Sequence, residues 1–98
     1  MGIQYVGTGR VQNAQTAAVS GTTATFTNAM SAGVMKMRLA ATVDICFRYG
    51  KGTQTAVVTD TPVFAISPEY FTVMPGESVA VIARDGASTG TAYLSEVV

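Results

Sequence analysis

Residues 35–49 read Met35-Lys36-Met37-Arg38-Leu39-Ala40-Ala41-Thr42-Val43-Asp44-Ile45-Cys46-Phe47-Arg48-Tyr49, and their alternation decides the fold class. Every odd position is apolar: Met35, Met37, Leu39, Ala41, Val43, Ile45, Phe47 and Tyr49. The even positions (Lys36, Arg38, Ala40, Thr42, Asp44, Cys46, Arg48) are mostly polar. Successive side chains of a strand point to opposite sides, so this period of two builds one buried face. A helix would scatter the same residues around its circumference. The run is longer than an ordinary strand, so a break or bend is expected near residues 40–42.

Downstream, turn signals recur at short intervals. Gly50-Lys51-Gly52 ends the run, Asp60-Thr61-Pro62 opens a new segment, and Ser67-Pro68 precedes Glu69-Tyr70-Phe71-Thr72-Val73. Pro75-Gly76 fits a type II turn, with proline presetting φ and glycine supplying positive φ. It is expected to join residues 70–73 and 78–83 as a hairpin. Residues 84–90 read as a loop and 91–97 as a last strand. Upstream, strands are expected around 15–19 and 23–27, with a connection over 28–33. Short strands at this spacing indicate a sandwich or barrel rather than a βαβ fold. Ser78-Val79-Ala80-Val81-Ile82-Ala83 is apolar on both faces, which a two-layer sandwich leaves uncovered unless a neighbour packs there.

Composition narrows function. The 98 residues suit one domain, 1–98. There is no His, no Trp and one Cys, so imidazole proton transfer, an internal disulfide and a thiolate zinc site are all excluded. Only 12% of residues are charged, about half the usual share, and six cations balance six anions. That balance argues against nucleic acid or an anionic membrane as partner. A surface so poor in charge points instead to a subunit covered by neighbours. The N-terminal stretch has neither the basic nor the apolar run of a signal peptide, and no segment has the ~20 apolar residues of a membrane helix, so cytoplasmic synthesis is expected.

No motif for catalysis or cofactor binding is complete in the sequence. Gly7-Thr8-Gly9-Arg10 opens like a phosphate-binding loop but has Gln12 where the third glycine belongs, and reads as a hinge. The carboxylates Asp44, Asp60, Glu69, Glu77, Asp85 and Glu96 stand singly, without calcium-loop spacing, and are expected at solvated turn and strand positions. Lys36, Arg38, Arg48 and Asp44 share one parity of the long run and are expected to share an outer face as a salt-bridged or inter-subunit patch. Cys46, with no base beside it, reads as structural. No catalytic, metal or cofactor residue is assigned, and the chain is not expected to be an enzyme.

One resemblance adds to this reading. Met37-Arg38-Leu39-Ala40-Ala41-Thr42, Asp44-Ile45-Cys46-Phe47-Arg48-Tyr49-Gly50, the stretch from Pro68 through Pro75-Gly76-Glu77 to Ile82, and Gly90-Thr91-Ala92-Tyr93-Leu94-Ser95-Glu96 follow in an order that resembles small virion structural proteins of tailed bacteriophages. The likeness covers the last two-thirds of the chain and is to the short β-sandwich proteins that decorate or cement phage heads; residues 1–33 do not share it. It implies a non-enzymatic, multimeric protein in the virion.

The expectation is therefore an all-β, two-sheet antiparallel sandwich, jelly-roll-like, with about 7–8 short strands. It would decorate and cement the capsid surface, with the major capsid protein and further copies of itself (trimer or dimer) as partners. A tail or neck subunit, or a carbohydrate- or receptor-binding sandwich, are the alternatives. Residues 1–10 are read as an extended arm whose Ile3, Tyr5, Val6 and Arg10 touch the partner, since apolar groups in such an arm gain burial only on another molecule. Deleting residues 1–10 is expected to weaken particle binding and leave the fold intact; undiminished occupancy on capsids, measured by cosedimentation, refutes the arm.

Overall fold

The computed structural model describes residues 10–98. Among them are eight strands and no helix: β1 (Val11–Val19), β2 (Ala24–Thr25), β3 (Lys36–Ala41), β4 (Ile45–Lys51), β5 (Thr61–Val63), β6 (Glu69–Thr72), β7 (Glu77–Ala83) and β8 (Gly90–Val97). They form two four-stranded antiparallel sheets, ordered β1-β8-β3-β6 and β2-β7-β4-β5. The first strand pairs with the last, β2 with β7, β3 with β6 and β4 with β5. This is the nesting of one long hairpin. Rolling it brings β3 onto β8 and β4 onto β7, which closes the two sheets into a jelly roll.

The alternating run supplies the hinge of that roll. Five of its odd residues are buried, Met37, Leu39 and Ala41 from one sheet and Ile45 and Phe47 from the other, while Val43 and Tyr49 are partly buried against them and Met35 is exposed. At the expected break the chain leaves β3 and enters β4 in the opposite sheet. Hydrogen bonds hold both sides of the corner. Thr42 N–H donates to Thr91 O (3.0 Å), and Thr91 N–H donates to Thr42 Oγ1 (3.0 Å). Arg84 N–H donates to Asp44 O (2.9 Å). Gly90 permits the close approach, since a Cβ there would lie 2.5 Å from Thr42 Oγ1 and within about 3.1 Å of the Val43 methyls. Between the sheets, the odd residues meet Val79, Val81 and Ala83 of β7 and Ala92 and Leu94 of β8, while Phe26, Met30 and Val34 close one end. Phe71 tilts against Phe47 with ring centroids 4.6 Å apart.

Two expectations change. The Pro75-Gly76 turn forms, with Gly76 at φ 86° and Glu77 N–H donating to Met74 O (3.2 Å). It does not make a hairpin, because β6 and β7 lie in different sheets and pair with β3 and β4 instead. Local turn chemistry sets the reversal, whereas the partner is set by which sheet buries each strand's apolar side. The outer face of β7 is likewise not left for a neighbour. Residues 52–60 fold back over it, burying Cys46, Ala56, Ala80 and Ile82 together. Ala56 N–H donates to Thr23 Oγ1 (2.9 Å), and the Cys46 thiol donates to Val58 O (3.4 Å). Burial pushes the Cys46 thiol above its ordinary pKa and keeps it a small apolar group.

A Cβ on residue 76 would meet nothing nearer than Lys51 Nζ at 3.8 Å, so only conformation opposes a side chain there. Gly76→Ala is expected to lower stability by about 1 kcal/mol with an unchanged denaturant slope, read from the urea midpoint.

Candidate functional site

Of the residues read as partner contacts, Ile3, Tyr5 and Val6 lie outside the described residues. Arg10 is exposed, and its main chain exchanges two hydrogen bonds with Val98 (2.7 and 2.8 Å), adding a rung beyond the end of β1. The expected Lys36–Arg38–Arg48 patch does not form. Lys36 and Arg38 stand on β3, Arg48 on β4 in the opposite sheet, so equal parity puts them on opposite outer faces. Arg48 pairs with Asp60 (2.9 Å), fastening the 52–60 segment. A backbone bond from Val57 and the Arg48 guanidinium hold the Asp60 carboxyl below its ordinary pKa. Asp44 instead accepts the Ala65 N–H (2.7 Å).

That last bond belongs to the most unusual feature of the surface. Ser67 N–H donates to Phe64 O (3.2 Å), closing a turn whose second central residue is Ile66 at φ 59°. Turns reserve this left-handed position for Gly or Asn; a β-branched residue there is an outlier costing on the order of 1–3 kcal/mol. Ile66 N–H donates to Ala41 O (3.1 Å), so three successive backbone donors tie the loop to the 42–44 corner and to itself. The side chain so placed is 88% exposed. Phe64 beside it is half-exposed, with the Arg84 guanidinium 5.3 Å from its ring centre. In the next turn Asp85 accepts the Ser88 hydroxyl and the backbone N–H groups of Ser88 and Ala87, which draws its pKa down to about 2. Val58, also exposed, borders Gly86 of that turn. The result is an apolar knob held by backbone hydrogen bonds beside the polar 85–88 turn.

A second feature lies at the opposite end. Glu96 follows Ala92 and Leu94 on the inward parity of β8 and is 2% exposed. It accepts hydrogen bonds from Asn13 Nδ2 (2.7 Å), Gln12 Nε2 (3.1 Å) and the Ser31 N–H (2.8 Å). Burial alone would raise its pKa; the bonds from Asn13, Ser31 and Gln12 outweigh burial and hold the carboxyl below its usual value. Asn13 reaches it because β1 carries a bulge. Gln12 pairs with Glu96 and Gln15 with Leu94, leaving two residues opposite one, and Asn13 takes φ 50°. An open cleft of about 440 Å³ lies over this network, lined by Asn13, Gln15, Asn28, Ser31 and Glu96 with two alanines.

Chemically, the carboxylate is committed to three donors and ties β1 and the 26–34 connection to β8. Among the described residues no three His, Cys, Asp or Glu side chains converge as metal ligands. Comparison with known proteins returns no matching family model, no matching curated protein and no matching solved structure. Glu96, expected at a solvated position, is instead buried; its parity with Ala92 and Leu94 is the sequence signal that points inward. Nothing local signals Ile66, since Ala-Ile-Ser-Pro lacks the residues that favour positive φ.

Because its folded pKa is depressed, Glu96 contributes stability above the unfolded value of about 4.3, and this is lost as pH falls through the folded value. Glu96→Gln turns one acceptor into a donor facing an amide or a backbone N–H. It is expected to cost about 1–3 kcal/mol at neutral pH and to flatten the acid limb of the stability curve, followed by thermal melts between pH 3 and 7.

Proposed function

We propose that the protein is a non-enzymatic structural subunit that binds the outer surface of a larger protein shell, of the kind that decorates and cements tailed-phage heads, with the major capsid protein as partner. The observation that carries this reading is Ile66: an aliphatic side chain held rigidly in water at a conformational cost. Folding has already ordered the loop, so a partner that buries it gains apolar contact without losing further freedom. Phe64 and Val58 widen the contact, and Arg84 and Asp85 beside them can satisfy polar groups at its rim. A subunit that binds only the assembled shell stabilises that state by mass action, and many modest contacts add up over a lattice. The low charge and the jelly-roll architecture support the same reading.

A second reading draws on Tyr70 and Tyr93, 43% and 45% exposed on the outer face of the β1-β8-β3-β6 sheet, which suit a carbohydrate- or receptor-binding module. Cosedimentation with expanded tailed-phage heads separates the two, because a glycan binder leaves the heads bare. Ile66→Gly is the decisive variant. Burying an isoleucine is worth about 1.5–3 kcal/mol, so the variant is expected to bind heads at least tenfold more weakly. Its thermal midpoint is expected to equal or exceed that of the parent, because Gly relaxes the left-handed position. Undiminished head binding by a folded Ile66→Gly protein removes the knob from the reading.

A further inference from the structure

We propose that β1 pairs with the β1 of a second copy about a two-fold axis at Ala17, joining two four-stranded sheets into one of eight. The proposal starts from the four sheet edges. β2 has two residues, β5 three with Pro62 among them, and β6 four, opening on Glu69 directly after Pro68. Short length, proline and charge are the usual devices that keep an edge from recruiting another chain. β1 has none of them. It runs nine residues, and no charged residue occurs from Val11 to Met35.

Register shows what this edge offers. Arg10 and Val98 exchange both of their hydrogen bonds, so β1 residues facing β8 follow in steps of two: Gln12 with Glu96, then beyond the bulge Gln15, Ala17 and Val19 with Leu94, Ala92 and Gly90. The N–H and C=O groups of Thr16 and Ala18 therefore point away from the sheet. Among the described residues none bonds to them, and both residues are exposed. The bulge at Asn13 bends the edge away and confines pairing to residues 15–19. Antiparallel pairing centred on Ala17 sets Thr16 of one copy against Ala18 of the other, twice, and satisfies all four N–H and all four C=O groups with four N–H···O bonds. The side chains in contact are threonine and alanine, small enough for close approach. Each copy has one such edge, so a two-fold consumes it in both and assembly stops at two. The axis stands perpendicular to the sheet, so the copies are inverted and their Phe64–Ile66 knobs face opposite ends. That last consequence rests on the proposed function and would let one dimer span two shell subunits; the dimer itself does not rest on it.

Sedimentation velocity on the full chain over a concentration series tests the pairing. The expected mass is twice the 10.1 kDa chain. Thr16→Pro removes only an outward N–H, as edge strands tolerate, and Ala18→Lys adds the missing edge charge. Each is expected to sediment as a folded monomer, with β-sheet circular dichroism retained. A parent that stays monomeric at the highest concentration overturns the proposal. So does a dimer that persists in Ala18→Lys, whether or not Thr16→Pro folds. A dimer lost only when residues 1–9 are deleted assigns the contact to that segment and overturns the β1 pairing. Loss of head binding with the dimer intact counts against the proposed function alone.

Discussion

The passage from one sheet to the other at residues 42–44 is the constraint on which the molecule depends. One alternating run has to keep its odd residues on the core while changing sheets, and it does so because Thr42 and Asp44 hand their backbone bonds to Thr91 and Arg84. Once that corner is set, β3 can lie beside β8 only if β4 lies beside β7. The remaining strands then fill the outer positions in nested order. A jelly roll places most of its pairings between residues distant in the chain, a topology that folds slowly because loop closure precedes the pairing that rewards it. The same corner anchors the Phe64–Ile66 loop through Ala41 O and Asp44, so the fold's hinge and its most exposed apolar group share one hydrogen-bonded frame.

Two local rules are broken, at Ile66 and Glu96, and each breach is compensated by hydrogen bonds to residues far along the chain. Ile66 sits at positive φ in a turn whose N–H groups at 65 and 66 donate to Asp44 and Ala41. Asn13 takes a positive φ at the bulge, which asparagine tolerates, and its amide donates to Glu96. Glu96 occupies a core position as a carboxylate because three donors replace its water. Strain and buried polarity of this kind cluster at functional sites more often than elsewhere in a fold. Here they mark the two ends of the sandwich, one apolar and projecting, one polar and recessed.

Charge behaves differently from what alternation suggests. Lys36, Arg38 and Arg48 share parity along the chain yet face opposite sides of the sandwich, and Arg48 is used to clamp the 52–60 segment through Asp60. That segment covers Ala80 and Ile82, so the doubly apolar β7 is a central strand in a local sense: sheet neighbours on both edges, core below and its own chain above. The uncharged stretch that remains exposed is β1.

Period-two patterning and turn residues by themselves determined that the chain is all-β, which side of the 35–49 run enters the core and where strands reverse. These are local properties, because each follows from where a Cβ points and which φ a residue tolerates. Only the tertiary structure decided which strand lies beside which, that Pro75-Gly76 joins sheets instead of neighbouring strands, and that Ile66 is forced outward. A strand's alternation says which face is buried but carries no address for its partner. That address is settled when both sheets close on one core and the corner bonds to residues far along the chain, Thr42 to Thr91 and Arg84 to Asp44.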